Sequence, residues 1–419
     1  MSDINMQMIA AADKNDLAAV QELLAKGADV KAVDGQGRTA LMAATQQNNL
    51  ELVKLLIKAG SDVNQRDNTM LSPYLCAGAN GFYEILREAV KAGGDIKSVN
   101  RFGGTTLLPS SEKGYLKTVQ VSLEAGVAVN HVNNLGWSAL LEAVVLGDGG
   151  RLYGDIVEEL VKAGADVNLK DRDGVSSLEH GRAMQQDRAV AIMEKRHEQP
   201  APVKAIKAKI RKEDYAGALK DLGDILAADP KNMDALYYQG YTLNEMKRYD
   251  DAVASYRKAL AADPSAIEFY FYTANCLRLM KKADEALAEY DKAIEAKPEA
   301  MYHRYHKSNY LRELGRHEEA VKTMDILLGQ APNRYDYSFH KANSLRSLGR
   351  HEEAVEAIEN AIKNDPGNAL YPFHKYQSLV LMKKYGEALK AIEKAISLAP
   401  DNEAYKRELA VTKKALETV

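Results

Sequence analysis

The chain has 419 residues, of which 27% are charged and 46% are hydrophobic, and its formal net charge is −3 at pH 7. This composition is ordinary for a soluble protein, and the near-neutral balance excludes the strongly basic type of nucleic-acid-binding domain. Only two cysteines occur, so a disulfide framework is excluded as well.

The N-terminal residues lack a basic start followed by an apolar stretch, so we expect no signal peptide. Nor does any uninterrupted apolar segment approach the roughly 20 residues that cross a bilayer. We therefore expect a cytoplasmic protein that contacts neither membrane nor nucleic acid.

Glycines recur through the first half of the chain. Gly27, Gly60, Gly93 and Gly126 are spaced by 33 residues, and Gly164 follows after 38. A regular spacing over so long a stretch indicates one supersecondary unit that is copied and stacked. Each glycine is predicted to end a second helix, where a positive φ is needed. Hydroxyl residues are predicted to cap each first helix, at Thr39, Ser72, Thr105, Ser138 and Ser176.

The loop Gly164-Ala-Asp-Val-Asn and the helix start Thr39-Ala-Leu-Met-Ala-Ala resemble the ankyrin repeat. The resemblance covers residues 5 to about 198 and implies helix pairs joined by short β-hairpin fingers, whose tips and adjoining inner helices commonly bind partners. Arg101 and Phe102 are candidate contacts because a fingertip has little to pack against, and Asn134 lies at the next tip. Trp137, just beyond, is expected to pack beneath its finger.

Two features depart from the ankyrin pattern. Pro109, Ser110 and Ser111 are expected to interrupt the first helix of the fourth repeat. Five extra residues fall between Gly126 and Gly164, in the glycine-rich stretch 146–155. This stretch lacks the Gly-Lys-Ser/Thr ending of a phosphate-binding loop, so a surface loop is the better interpretation.

Pro200 and Pro202 separate the two halves of the chain. Prolines end a helix and favour extended backbone, so residues 199–204 are predicted to form a short, stiff linker. The predicted domains are residues 1–198 and 205–419.

Prolines mark the second half at intervals of 34 residues: Pro230, Pro264, Pro298, Pro332, Pro366 and Pro400. A small residue stands twelve positions before each, as Ala252 does before Pro264. This pattern resembles the tetratricopeptide repeat in six copies and implies antiparallel helix pairs whose first helices line a groove. Residues 401–419 are predicted to form a capping helix. The predicted fold is therefore all-α, with two tandem α-solenoids.

Three positions of the first helices, spaced i, i+4 and i+7, lie on one helical face. The aromatic position holds Tyr237, Phe271, Tyr305, Phe339 and Phe373. The amide position holds Tyr241, Asn275, Asn309, Asn343 and Gln377. The arginine position holds Asn244, Arg278, Arg312, Arg346 and Val380.

Amides can hold a peptide backbone and arginines can bind carboxylates, so these positions are predicted to bind an extended, acidic peptide. In the alternative interpretation the polar columns reflect repeat duplication alone, and the aromatic residues belong to the core.

A column of His306, His340 and His374 raises the possibility of a metal site. Equivalent sites on stacked repeats lie roughly 10 Å apart, whereas zinc needs nitrogens at about 2 Å from one ion. We therefore expect no metal, and interpret these histidines as solvated groove residues or ligand contacts.

We find no nucleophile elbow, phosphate loop, HExxH or paired-cysteine motif in the sequence. The chain is thus predicted to be a monomeric, non-catalytic adaptor without a cofactor, whose partners are proteins or peptides. The alternative is a bacterial effector that acts on host proteins through the same repeats.

Overall fold

A computed structural model describes residues 3–400 and 402–416, and the side chains of all of these except 403, 404 and 415. Within these residues there are 25 helices and no strand. None of these helices combines the length and the apolar character that crossing a bilayer requires. The chain divides into two compact units, Met1–Arg196 and His197–Val419. The predicted all-α fold of tandem helical arrays is confirmed.

The first unit contains six helix pairs. The first helices of the pairs are α1 (Ile4–Asp13), α3 (Ala40–Gln46), α5 (Pro73–Asn80), α7 (Leu107–Glu112), α9 (Ala139–Val145) and α11 (Ser177–Ala183). The second helices are α2 (Leu17–Ala25), α4 (Leu50–Lys58), α6 (Tyr83–Lys91), α8 (Leu116–Glu124), α10 (Arg151–Lys162) and α12 (Asp187–Met193). Each first helix contacts the first helix of the next pair, so the core runs through the whole stack.

Hydroxyl caps begin four of these helices as predicted. Thr39, Ser72, Ser138 and Ser176 each accept a hydrogen bond from the backbone N–H three residues later. The expected cap at Thr105 is wrong, because α7 begins one residue later, after Thr106.

The expected interruption at Pro109, Ser110 and Ser111 is also wrong, because all three residues lie within α7. Pro109 is in the first turn, where the backbone N–H has no partner within the helix and its loss costs no hydrogen bond. The Ser110 hydroxyl donates to the carbonyl of Thr106 at 2.6 Å, which ties the short helix together.

Each finger of the first unit is closed by an Asp or Asn at its first residue. The Oδ1 atom of this residue accepts the backbone N–H groups two and four positions later, for example from Phe102 and Gly104 to Asn100 at 2.9 and 3.0 Å. The set is Asp34, Asp67, Asn100, Asn133 and Asp171. In the described fingers the β-structure is limited to the isolated bridges Val132–Ser138 and Lys170–Ser176, so side chains rather than a hairpin ladder shape them.

Two of these residues also join the finger to the helix that follows it. The amide nitrogen of Asn133 donates to Glu142 Oε1 at 2.9 Å, and His180 Nε2 lies 2.7 Å from Asp171 Oδ2. Glu142 is only 6% exposed. Burial, together with the neighbouring Glu112 carboxylate, raises the pKa of Glu142 well above its usual range.

The second unit contains six helix pairs and a final helix. The first helices are α13 (Ala201–Arg211), α15 (Met233–Glu245), α17 (Glu268–Leu279), α19 (Met301–Glu313), α21 (Tyr335–Ser347) and α23 (Leu370–Leu381). The second helices are α14 (Tyr215–Ala228), α16 (Tyr249–Ala262), α18 (Ala283–Ala296), α20 (His317–Gln330), α22 (His351–Asn364) and α24 (Tyr385–Leu398), and α25 (Glu403–Leu416) ends the array.

The extended backbone expected for residues 199–204 is found only before Ala201, where α13 begins. Pro202 lies in the first turn of this helix. A proline there presets the helical φ and removes an N–H that has no partner within the helix. Residues 201–204 are therefore helical.

Small residues let the paired helices of the second unit approach closely. Ala218, Ala252 and Ala286 are fully buried where the helices cross. A Cβ atom added to Gly240 would lie 2.2 Å from the Tyr256 ring, so this helical glycine fixes the distance between α15 and α16.

We expect Gly240→Ala to destabilise the second unit by about 1–3 kcal/mol, the usual cost of overpacking a core. The matched control is Gly223→Ala, also inside a helix, where an added Cβ meets nothing within 4 Å. That control should stabilise by about 0.5–1 kcal/mol through helix propensity. Urea unfolding midpoints of the two variants measure the difference, and equal midpoints would contradict this account of the glycine.

We expect Glu142→Gln to change how stability depends on pH. Because the folded protein raises the pKa of Glu142, its contribution to stability is complete below the unfolded value of about 4.5 and falls as pH rises toward the folded value. Glutamine keeps the acceptor for Asn133 and removes this titration. As pH rises, the unfolding free energy of the parent protein should therefore fall relative to that of Glu142→Gln. The difference is at most about 1.4 kcal/mol for each unit by which folding raises the pKa.

Unfolding midpoints measured between pH 4.5 and 8 test this expectation, with Glu51→Gln on the exposed face of α4 as the control. If the unfolding midpoints of the parent and of Glu142→Gln change with pH in the same way, Glu142 ionises normally in the folded protein.

Candidate interaction surfaces

The candidate residues of the first unit form one fingertip patch, defined as Arg101, Phe102 and Asn134. The Arg101 guanidinium carbon lies 5.0 Å from the centre of the Phe102 ring, a cation–π distance. The backbone N–H of Asn134 donates to the carbonyl of Phe102 at 2.9 Å. Arg101 and Asn134 are exposed and Phe102 is half-buried. The structure thus brings the three residues together on adjacent fingers.

Further contacts link these two fingers to each other and to the finger that follows. His131 Nε2 lies 2.7 Å from the carbonyl oxygen of Gly103, and the Arg172 guanidinium donates to the carbonyl of Asn134. Behind the tips, Trp137 is buried as expected and packs with Leu141 and Leu146. The patch therefore has a fixed shape.

The side chain of Gln186 holds the glycine-rich stretch after α9 in place. Gln186 Nε2 donates to the carbonyls of Val144 and Gly147 at 2.8 and 3.1 Å. A Cβ atom on Gly149 would lie 2.7 Å from the Gln186 side chain. The glycines thus allow close packing of the inserted loop, which accounts for them without a phosphate ligand.

In the second unit the aromatic position belongs largely to the core. Tyr237, Phe271, Tyr305 and Phe339 are each 1–4% exposed, and the half-buried Phe373 stacks on Tyr405 with ring centres 4.5 Å apart. The hypothesis that these residues contact a partner is therefore wrong for the four buried rings, because they fill the space between consecutive repeats.

The histidine column lies between these rings. The ring centres of Phe271 and His306 are 5.1 Å apart, and those of Phe339 and His374 are 4.9 Å apart. His306 and His374 are buried, so the expectation of solvated groove histidines is wrong for both. Among the residues that the structure describes, no group of three or more potential ligands could hold a metal ion.

Two residues of the arginine position contact histidines of this column in the next repeat. Arg312 Nη1 donates to Asn309 Oδ1 at 3.0 Å in its own helix and to His340 Nδ1 at 2.7 Å in the next repeat. One repeat later, Arg346 donates to Asn343 Oδ1 at 3.0 Å, to Gln377 Oε1 at 2.8 Å and to His374 Nδ1. Both guanidinium groups are thereby held in place across a repeat boundary.

These acceptors are amide oxygen and imidazole nitrogen atoms, and they orient the two guanidinium groups. Arg278 differs, since its guanidinium lies 3.9 Å from Glu313 and over the ring of Tyr310. The amide position, comprising Tyr241, Asn275, Asn309, Asn343 and Gln377, is half-buried throughout. The structure thus leaves a partly exposed polar face over a buried aromatic layer.

Sequence reasoning missed two features of these surfaces. One is the Asp or Asn that closes each finger, which the sequence marks by a Gly three residues later in four of the five cases. The other is the pairing of arginine with histidine, marked by a constant separation of 28 residues between the partners.

Family models match both halves of the chain. The model for ankyrin repeats (3 copies) matches residues 7–87 and 74–171. A tetratricopeptide repeat model matches residues 203–267, 245–301 and 305–369, and a second one matches residues 377–402. A search of curated proteins found no match.

Three solved structures are similar to the first half. An ankyrin repeat domain from Acinetobacter baumannii AYE is 46% identical, covers 45% of this chain and 96% of its own, and has a TM-score of 0.44. The ankyrin repeat protein EF0377 is 35% identical over 46% of this chain and 98% of its own, with a TM-score of 0.44.

The third is a chain in the complex of a predatory endopeptidase from Bdellovibrio bacteriovorus with an immunity protein. It is 27% identical over 46% of this chain and 98% of its own, with a TM-score of 0.40.

Ankyrin and tetratricopeptide repeats are protein-interaction modules, typically without catalytic activity, and no enzyme family is among the matching models. The periodicities, the helix pairs and the family models agree throughout. The chain belongs to the ankyrin repeat proteins, and a second array of tetratricopeptide repeats follows its ankyrin array.

Proposed function

We propose that this protein is an adaptor that binds an extended acidic peptide in the groove of its tetratricopeptide array and a second protein at the fingertip patch. The observation that carries the proposal is the fixed orientation of Arg312 and Arg346 by amide and imidazole acceptors in two consecutive repeats. The two groups lie at equivalent positions of consecutive repeats, so they form a row along the groove.

A guanidinium group binds a carboxylate through paired N–H donors, and such charge-assisted bonds are about twice as strong as neutral ones. Binding to a flexible arginine loses side-chain entropy of about 0.5–1.5 kcal/mol. Arg312 and Arg346 are already held by their neighbours, so most of that loss occurs when the protein folds. The groove is therefore suited to carboxylates before any partner arrives.

The amide position supports binding of the peptide backbone. The Oδ1 atoms of Asn309 and Asn343 accept hydrogen bonds from the arginines. This fixes the direction of each amide, so that the Nδ2 groups are the donors for a peptide carbonyl. Backbone contacts of this kind hold an extended chain with little regard for its side chains.

The fingertip patch supports the second binding surface. Arg101 and Phe102 form a cation–π pair on the outside of the molecule, and arginine and aromatic residues are enriched among the residues that dominate protein interfaces. A bacterial effector would use the same surfaces on a host protein, and detection of this protein in host cytosol would favour that role.

We expect the double substitution Arg312→Ala with Arg346→Ala to weaken binding of a fluorescent peptide of about ten residues rich in Asp and Glu. Two lost charge-assisted contacts should lower the affinity by tenfold or more. Fluorescence anisotropy at low and high salt measures this affinity, with Lys258→Ala on the exposed face of α16 as the control. The proposal fails if the acidic peptide binds no tighter than its Gln and Asn counterpart, or if the double variant binds it normally.

We expect Arg101→Ala with Phe102→Ala to remove a specific set of proteins captured from native lysate, as identified by mass spectrometry. The matched control is Gln36→Ala, an exposed residue at the equivalent place in the first finger. Capture of the same set by both variants would exclude the fingertip patch as a binding surface.

A further inference from the structure

Neighbouring fingers of the first unit are joined at their tips by a repeated backbone hydrogen bond. The N–H of Asn68, the second residue of its finger, donates at 3.0 Å to the carbonyl of Gln36, the third residue of the finger before. In the same way, the N–H of Asn134 donates to the carbonyl of Phe102 at 2.9 Å. The first finger is thus tied to the second, and the third finger to the fourth.

In the described structure this tip bond is missing between the second and third fingers. Thr69 holds the acceptor place in the second finger, and among the described residues its carbonyl accepts no backbone hydrogen bond from the third finger. The fourth and fifth fingers are linked differently, since the guanidinium of Arg172 donates to the carbonyl of Asn134. The boundary between the second and third fingers therefore interrupts the row of linked tips.

The interruption coincides with a change at the fourth residue of the finger. This residue has a positive φ in all five fingers, and in four of them it is a glycine: Gly37, Gly103, Gly136 and Gly174. The second finger has Met70 there, with a φ of 65°. Met70 is thus the one fourth residue that carries a side chain.

A side chain at this position would occupy space that the tip bond needs. A Cβ atom built on Gly37 would lie 3.0 Å from the backbone nitrogen of Asn68, and one built on Gly103 would lie 3.0 Å from that of Asn134. These two nitrogens are the donors of the tip bonds. Non-bonded atoms pack best at about 3.5–4.0 Å from a carbon, so the two cannot coexist without a shift. Met70 therefore accounts for the missing bond.

The second finger holds Met70 in a costly conformation. The left-handed region disfavours residues with a Cβ atom. The buried Asp67 closes the turn around Met70, because its Oδ1 atom accepts the N–H of Thr69 at 2.8 Å, the hydroxyl of Thr69 at 2.7 Å and the N–H of Leu71 at 3.0 Å. Strained residues persist where the surrounding bonds determine their conformation, and they cluster at functional sites. The strain at Met70 thus points to a role beyond closing the turn.

The bases of the second and third fingers are held together. Asn64 Nδ2 donates to the carbonyl of Gly93 at 3.0 Å, and Asn64 Oδ1 accepts the N–H of Asp95 at 2.8 Å. Arg66 Nη2 donates to the hydroxyl of Ser98 at 3.1 Å. These contacts fix the bases, so a movement between the two fingers would take place at their tips.

We propose that Met70 is a positioning residue that separates the tip of the third finger from that of the second, so that the fingertip patch can shift as a unit when it binds a protein partner. This inference rests on the proposed function of the patch. The third and fourth fingers move together because the bond from Asn134 to Phe102 joins them. The patch spans these two fingers, so its shape is kept while its position changes.

Residue-resolved hydrogen exchange tests the separation of the tips. We expect Met70→Gly to let the missing tip bond form, so that the N–H of Arg101 exchanges about tenfold more slowly than in the parent. The N–H of Asn134 should exchange at the same rate in both proteins. The substitution removes a side chain from a strained position, so it should leave the fold intact.

The reverse substitution is Gly103→Met. It should break the tip bond between the third and fourth fingers and speed the exchange of the Asn134 N–H about tenfold. The matched control is Gly174→Met, which has the same left-handed φ but where an added Cβ meets nothing within 4 Å. This control should leave the exchange of Asn134 unchanged.

Capture from native lysate, quantified by mass spectrometry, tests the role in binding. In Met70→Gly, a partner that needs the shifted patch must first break the new tip bond. The net cost of one backbone hydrogen bond corresponds to a loss of affinity of about two- to tenfold. We therefore expect Met70→Gly to retain about two- to tenfold less of the proteins that Arg101→Ala with Phe102→Ala loses.

The outcomes separate this inference from the proposed function. If the N–H of Arg101 exchanges equally in the parent and in Met70→Gly, the methionine does not separate the tips and the inference is wrong. If exchange changes but the captured amounts do not, the inference is overturned and the proposed function of the patch stands. If the parent captures no protein that Arg101→Ala with Phe102→Ala loses, the proposed function fails, and the role of Met70 in binding fails with it.

Discussion

Each repeat of this protein leaves an apolar helix face that only the next repeat covers, and this constraint links the core to the binding surfaces. In the tetratricopeptide array the cover is aromatic: Phe271 packs on His306, and Phe339 packs on His374. His374 also accepts a hydrogen bond from Arg346, and His340, whose ring packs beside Tyr305, accepts one from Arg312. Each of these two histidines therefore packs between consecutive repeats and also orients an arginine of the groove.

This coupling explains why the groove is polar and yet ordered. A long arginine side chain on a helix surface usually samples many rotamers, and restricting it costs free energy. Here Arg346 donates hydrogen bonds to three side chains in two repeats, so folding already restricts it. The first unit shows a related arrangement at Asn133. Its side-chain oxygen accepts a backbone hydrogen bond that shapes the finger, and its side-chain nitrogen donates to the buried Glu142. In both arrays, polar side chains connect a surface feature to the interior.

The sequence predicted the repeat lengths, the helix pairs and most helix caps, because these depend on local spacing and on single residues such as Thr39 and Ser138. It did not predict which side chains of one helical face are buried. Phe339 and Asn343 are four residues apart and share a face, yet the first packs on the next repeat and the second reaches the groove. That difference depends on the angle between neighbouring repeats, which the spacing within one helix does not determine. The shift of the cap from Thr105 to Thr106 belongs to a short helix of six residues, Leu107–Glu112, which carries Pro109 in its first turn.

The closure of the fingers has an evolutionary consequence. An Asp or Asn at the first residue and a positive φ at the fourth, held by glycine in every finger except the one with Met70, define the turn. The two residues between them can vary while the backbone stays constant, and the five fingers carry Gly35-Gln36, Asn68-Thr69, Arg101-Phe102, Asn134-Leu135 and Arg172-Asp173. New recognition properties can thus arise by replacement of two adjacent codons while the turn itself stays unchanged.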